Sequence, residues 1–113
     1  MSCIFCEIAA GERPADRVYE DDRAVAFRDI NPMAPVHILV IPREHIPGPQ
    51  AIDGANADVA GHLIAVSTRI ARDLGIAADG YRLVLNEGRQ GGQSVYHMHL
   101  HLLGGRPMGW PPG

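Results

Sequence analysis

No apolar run in this chain is long enough to cross a bilayer, and its start does not resemble a secretory signal. A membrane-spanning helix is excluded, and the expected location is cytoplasmic. The net charge is small, −3 at pH 7, so there is no electrostatic reason to expect nucleic-acid or membrane binding. Lysine is absent, the ten basic residues all being arginine, and nothing functional follows from that. No internal repeat or low-complexity tract occurs. The 113 residues suffice for one core but not for two, and a hydrophobic content of 46% suits a globular chain. Aromatic residues are only 5%, and the single tryptophan, Trp110, sits in a tail rich in Gly and Pro. Such a tail forms neither helix nor central strand, so Trp110 packs on the body of the chain or on a partner. There are only two cysteines, Cys3 and Cys6, in a C-x-x-C. No βαβ pattern surrounds them, which argues against a thioredoxin-like site. They read as half of a metal site, a redox pair or two unremarkable thiols.

What the chain does have is concentrated near its end. In Ser94-Val95-Tyr96-His97-Met98-His99-Leu100-His101-Leu102-Leu103 three histidines occupy alternate positions. In a strand this puts His97, His99 and His101 on one face and Met98, Leu100 and Leu102 on the other. The apolar face belongs against a core, and the histidines then form a row along a surface. Such a row suits metal ligation or nucleophilic attack on phosphorus, with neighbouring donors stabilising the phosphate oxygens. Gly91-Gly92-Gln93-Ser94 leads into it. Glycine N–H groups can approach an anion closely, and Gln and Ser add donors, which favours a phosphate pocket.

The rest supplies a scaffold. Ile4, Phe5 and Ile8 form a short helical pattern ending near Gly11. Arg17–Glu20 and Ala24–Asp29 read as strands around the turn Asp21-Asp22-Arg23, whose acids are expected to be solvated. Asp29 precedes the turn signal Ile30-Asn31-Pro32, and either caps that turn or binds a ribose diol. His37–Ile41 reads as a buried strand bounded by Pro35 and Pro42. Val59, Leu63, Val66, Ile70 and Leu74 make one helical stripe from Asp58 to Leu74, which Gly75 ends; His62 falls on the exposed side. Tyr81–Asn86 is an alternating strand. Five strands and one long helix without βαβ alternation predict an α+β fold with an antiparallel sheet. One helix cannot cover both faces, which leaves one for the active site and a partner.

His97-Met98-His99-Leu100-His101-Leu102-Leu103 resembles the signature of the histidine triad (HIT) family. Phe27–Pro32, Ala34–Pro42, Asn86 and the ending Gly105–Gly113 resemble the family's Hint branch, the histidine triad nucleotide-binding proteins. The resemblance spans nearly the whole chain, as one HIT domain over residues 1–113. It implies a five-stranded antiparallel sheet with one long and one short N-terminal helix, in a homodimer. It implies hydrolysis of purine nucleoside phosphoramidates. His99 would attack the α-phosphorus, expel the amine and form a nucleotidyl-histidine that water hydrolyses. Ser94 would relay a proton to the leaving nitrogen. His101 and the Gly92–Ser94 turn would hold the phosphoryl oxygens, His97 would orient the others, and His37 would support the triad from the next strand. Phe5, Asp29, Ile30 and Asn86 would contact base and ribose.

No catalytic cofactor is expected. A structural zinc is, on Cys3, Cys6, His45 and His97, because relatives with this N-terminal C-x-x-C resemble that arrangement. The other histidines have been given other places: His62 to solvent, His99 and His101 to the phosphate, His37 to support. Two other readings remain. A metal-dependent hydrolase would need a carboxylate near the row, and none lies close in sequence. A non-catalytic nucleotide-binding or scaffold protein has no need of both His99 and Ser94.

Overall fold

In a computed structural model describing residues 3–113, two helices and five strands follow one another. They are α1 (Ile4–Ala9), β1 (Arg17–Glu20), β2 (Ala24–Arg28), β3 (Val36–Pro42), α2 (Ala57–Asp73), β4 (Tyr81–Leu85) and β5 (Leu100–Gly104). The strands form one antiparallel sheet in the order β1-β2-β3-β5-β4, as the α+β reading required. No described helix is long and apolar enough to cross a membrane.

β2 and β3 are nearly continuous apolar runs because both of their faces are covered. Ala24, Ala26, Ile38 and Val40 pack with Leu63, Val66 and Ile70 of α2. Val25, Phe27, Leu39 and Ile41, on the opposite face, pack with Phe5, Ile8 and Ala9 of α1. The second face is therefore not left open: α1 builds over its β2–β3 half. α2 stops where Gly75 takes φ +76, a conformation that costs glycine nothing.

Two expectations need correction here. β5 begins at Leu100, not at Ser94. β4 ends there: Leu100 pairs with Leu85, the last residue of β4, on one side and with Val40 on the other, beyond which β3 continues only against β2. Residues 94–99 are held by other bonds, including Met98 N–H to the Ile46 carbonyl at 2.6 Å. The alternation survives without a ladder, since Met98 joins Leu100 and Leu102 in the α2-side core. The acids of the β1–β2 turn are not all solvated, and His62 is not free. Asp21 accepts from Tyr19 Oη, from the Arg23 and Ala24 amides and, at 2.8 Å, from His62 Nε2. Burial alone would raise its pKa, but these donors outweigh it and hold the carboxyl well below the usual range. The pair fastens α2 to the β1–β2 turn.

Candidate active site

The sheet register decides which side chains meet. Leu39 and Val84 flank His101 in neighbouring strands, and His37, two residues from Leu39, shares that face. A cleft of about 720 Å³ opens here. Ile4, Phe5, Ile8, Phe27, Leu39 and Val95 form its apolar wall; Ser94, His99 and His101 form one end; Asp29, Ile30 and Asn31 lie along its edge.

The three histidines of the row are not an exposed set. His97 is 0% and His99 5% exposed. Phe5 packs edge-on against His97 and His99, with ring centroids 6.0 and 5.1 Å away. Each ring is held differently, and its hydrogen bonds fix which nitrogen carries the proton. His99 Nδ1 lies 2.8 Å from the His97 carbonyl. A carbonyl only accepts, so Nδ1 bears the hydrogen and Nε2 keeps its lone pair. His97 Nε2 donates in the same way to the Pro42 carbonyl at 2.8 Å, leaving the lone pair on Nδ1. The third ring is set through a chain. The Met33 amide donates to His37 Nδ1 at 3.0 Å, so the His37 proton is on Nε2. That N–H donates to His101 Nδ1 at 2.9 Å, so the proton of His101 is on its own Nε2. His101 Nε2 is buried without a partner, the one such side-chain atom among the described residues. A buried donor is seldom left unpaired unless a ligand completes it.

Burial favours the neutral form of His101 and His37. It pushes the His101 pKa down to about 4, helped by the nearness of His99 and His37 and opposed by Asp29. His37 is lowered by burial too, against the pull of Asp29. The carboxylate of Asp29 has a double duty. Oδ1 accepts the Asn31 amide at 2.8 Å, capping the turn, while Oδ2 stands 3.5 Å from His37 Nε2.

At the other end of the row, four potential ligand atoms converge. Cys3 caps α1, its sulfur accepting the Cys6 amide, which turns both thiols toward one point. His97 Nδ1 lies 3.4 Å from Cys3 Sγ, 3.5 Å from Cys6 Sγ and 3.2 Å from His45 Nδ1, and Cys6 Sγ is 3.3 Å from His45 Nδ1. A tetrahedral zinc with bonds of about 2.0–2.3 Å separates its ligand atoms by about 3.3–3.8 Å, so the donor set fits the ion. The His97–Pro42 bond supplies the outer contact that metal-binding imidazoles normally have.

Other expected binding residues are engaged within the chain or lie off the cleft. Gln93 is 7% exposed, and its amide is fully engaged in the loop: Oε1 accepts Gly88 N–H, and Nε2 donates to the Pro47 and Val95 carbonyls. The Gly92 and Gln93 amides are tied to the Arg89 and Gly88 carbonyls, so these N–H groups are not available to an anion. Asn86 is half-buried but does not line the cleft. Ser94 does, as do Phe5, Asp29 and Ile30, the last 92% exposed. Residue patterns had no way to single out Leu39 and Val95, which read as ordinary core positions, or the Met33 amide, a backbone group.

An alternating row of imidazoles of opposite proton placement, running into the last strand of a small antiparallel sheet, defines a histidine triad protein. The HIT domain model matches residues 10–108, and the chain belongs to that family. It is a hydrolase of the histidine triad type. Purine nucleoside phosphoramidase of Escherichia coli (strain K12) is 52% identical over 106 residues, covering 94% of this chain and 89% of that protein. A HIT family hydrolase from Legionella pneumophila superposes with a TM-score of 0.97 at 47% identity, covering 99% of this chain and 100% of that one. A zinc-bound histidine triad family protein from Mycobacterium smegmatis has a TM-score of 0.79 at 34% identity, covering 94% and 76%.

Proposed function

We propose that the whole chain, 1–113, acts as one HIT domain that hydrolyses the P–N bond of purine nucleoside phosphoramidates. The observation that carries the reading is the opposite proton placement on two neighbouring rings. His99 offers a lone pair on Nε2, and His101 offers an unpartnered Nε2–H. A nucleophile and an oxyanion donor are what a phosphoryl centre needs from its two sides. The apolar wall around Phe5 and Phe27 suits a purine base, and Asp29 Oδ2 suits a ribose hydroxyl.

In this reading His99 Nε2 attacks the α-phosphorus and the P–N bond breaks. The leaving amine takes a proton relayed through Ser94, on the rim of the cleft. The nucleotidyl group rests on His99 until water attacks the phosphorus, releasing the nucleoside monophosphate and returning the neutral imidazole. His101 Nε2–H stabilises the phosphoryl oxygen throughout. The protein supplies the nucleophile, the oxyanion donor and the proton relay, and the second step consumes one water, whose protons balance the one taken by the leaving amine.

Cys3, Cys6, His45 and His97 would hold a structural zinc, which would cross-link α1 to the sheet. The relative from M. smegmatis and the spacing of the donors support it. Keeping both thiols as ligands suits a reducing cytoplasm. The partner would be a second copy. β4 is an edge strand, and Trp110, Tyr96, Met33 and Leu85 remain exposed.

The direct test is incubation with adenosine 5′-phosphoramidate and with its guanosine counterpart. Release of AMP or GMP, lost on His99→Ala, is expected. Binding of AMP without any turnover would favour the non-catalytic nucleotide-binding reading.

A further inference from the structure

Arg106 lies in the tail, outside the cleft, yet it reaches the residue whose N–H orders the phosphate end. Its Nη2 donates to the Met33 carbonyl at 2.8 Å, and its Nη1 is braced on the Pro107 carbonyl at 3.0 Å. The N–H of that same Met33 is the donor that fixes His37, which in turn fixes His101. The tail touches this connection a second time. At Gly105, which has φ +89, an added Cβ would fall 2.9 Å from Pro35 Cβ, so the tail backbone lies directly against Pro35. The Met33 side chain is 67% exposed and gives the connection little anchorage of its own.

We infer that Arg106 is a positioning residue: by holding the Met33 carbonyl it steadies the backbone at Met33, one Cα away from the N–H that faces His37, and so keeps His37 and His101 in the tautomers that present an N–H to the cleft. Losing the Met33 bond has a defined sign. A His37 freed at Nδ1 can carry its proton there instead. Its Nε2 then becomes an acceptor, His101 Nδ1 must donate to it, and His101 Nε2 turns from a donor into a lone pair. A lone pair facing phosphoryl oxygens repels the charge it should stabilise. The catalytic consequence rests on the phosphoramidase reading, but the hydrogen-bond chain does not.

The test compares Arg106→Ala, Arg106→Lys and Arg82→Ala. Arg82 holds the same tail farther along, at the Gly109 carbonyl, 2.7 Å away. Three quantities are read: hydrogen exchange of the Met33 amide, ring ¹⁵N shifts of His37 and His101, and kcat on a nucleoside phosphoramidate. Arg106→Ala is expected to speed Met33 exchange, move the ring nitrogens toward the opposite tautomer and lower kcat about 3- to 10-fold, the weight of one such hydrogen bond. Arg106→Lys, which keeps a donor, restores all three, and Arg82→Ala leaves them unchanged. The inference fails if Arg106→Ala leaves Met33 exchange and the ring nitrogens at wild type, whatever happens to kcat. It fails also if Arg82→Ala disturbs them equally, since general docking of the tail would then be responsible. A wild-type protein inert to the phosphoramidate would overturn the functional reading, and the exchange and ring-nitrogen results would still decide Arg106.

Discussion

His99 and His101 are identical side chains two positions apart, and their chemistry differs because one bonds a carbonyl and the other a ring nitrogen. Removing the lone pair of His99 should therefore be far worse than removing any neighbour. His99→Ala is expected to lower kcat by about 10³-fold or more while AMP still binds, as single-turnover kinetics and calorimetric titration would show. Near-normal turnover in that variant would move the nucleophile elsewhere. The same burial that keeps His101 ready has a stability signature. Its folded pKa, about 4, lies below the ordinary histidine value of 6.5, and that of His37 is lowered too. The unfolded chain thus binds protons first as pH falls. The contribution of these rings is complete above about pH 6.5 and is lost as pH falls toward about 4. Calorimetric melting should show Tm falling between about pH 7 and 5, with a shallower fall in His101→Asn. Equal slopes in the two proteins would mean that His101 does not titrate as a buried ring.

Among the elements, the connection between β4 and β5 departs most from its sequence reading. A Gly-rich turn with Gln and Ser beside three histidines reads as an anion cradle. Its glycine instead serves tight packing: a Cβ on Gly91 would run into the Glu87 carbonyl oxygen. Gln93 ties the turn to Pro47 and Val95. Gln93→Ala should therefore act on stability, costing about 1–3 kcal/mol by leaving buried backbone groups unpaired. Urea denaturation would measure it. An unchanged midpoint together with a raised KM would return Gln93 to substrate binding. β5 shows the converse. Its period-two alternation told the faces apart correctly, although half of that stretch makes no ladder, because burial on each side enforces the alternation. The helical stripe of α2 was legible for the ordinary reason that its spacing matches the helix period, with Leu63, Val66 and Ile70 buried.

For the whole molecule, both faces of the sheet are built upon, and the two ends of the histidine row face different groups of side chains. His97 belongs to the Cys3–Cys6–His45 cluster and lends only its carbonyl to His99. Zinc should then bind at about one equivalent per chain, and chelation should lower Tm more than it lowers the rate. Elemental analysis of untagged protein, with melting and kinetics in chelator, checks both. Freely titrating thiols and negligible zinc would leave the cluster a hydrogen-bonded one. From the exposed apolar side chains and the β4 edge, a dimer at micromolar concentration is the expected result of sedimentation. A stable monomer would remove that expectation.

The sequence alone determined the fold class, the long helix and the faces of the histidine row, and it singled out Cys3-x-x-Cys6 and His97–His101 as the candidate groups. These depend on periodicity and on spacing along the chain, which are local properties. Three things depended on tertiary structure. The Gln93 amide was drawn to the distant Pro47 carbonyl, Asp21 and His62 found each other across the β1–β2 turn and α2, and the imidazoles received their protons on particular nitrogens. A tautomer is set by the group facing the ring, and the facing groups come from Pro42, Met33, His37 and the backbone of His97. Pro42 and His37 lie far in sequence from the rings they face, and only the pairing of β3 with β5 and the turns around it bring them within hydrogen-bonding distance.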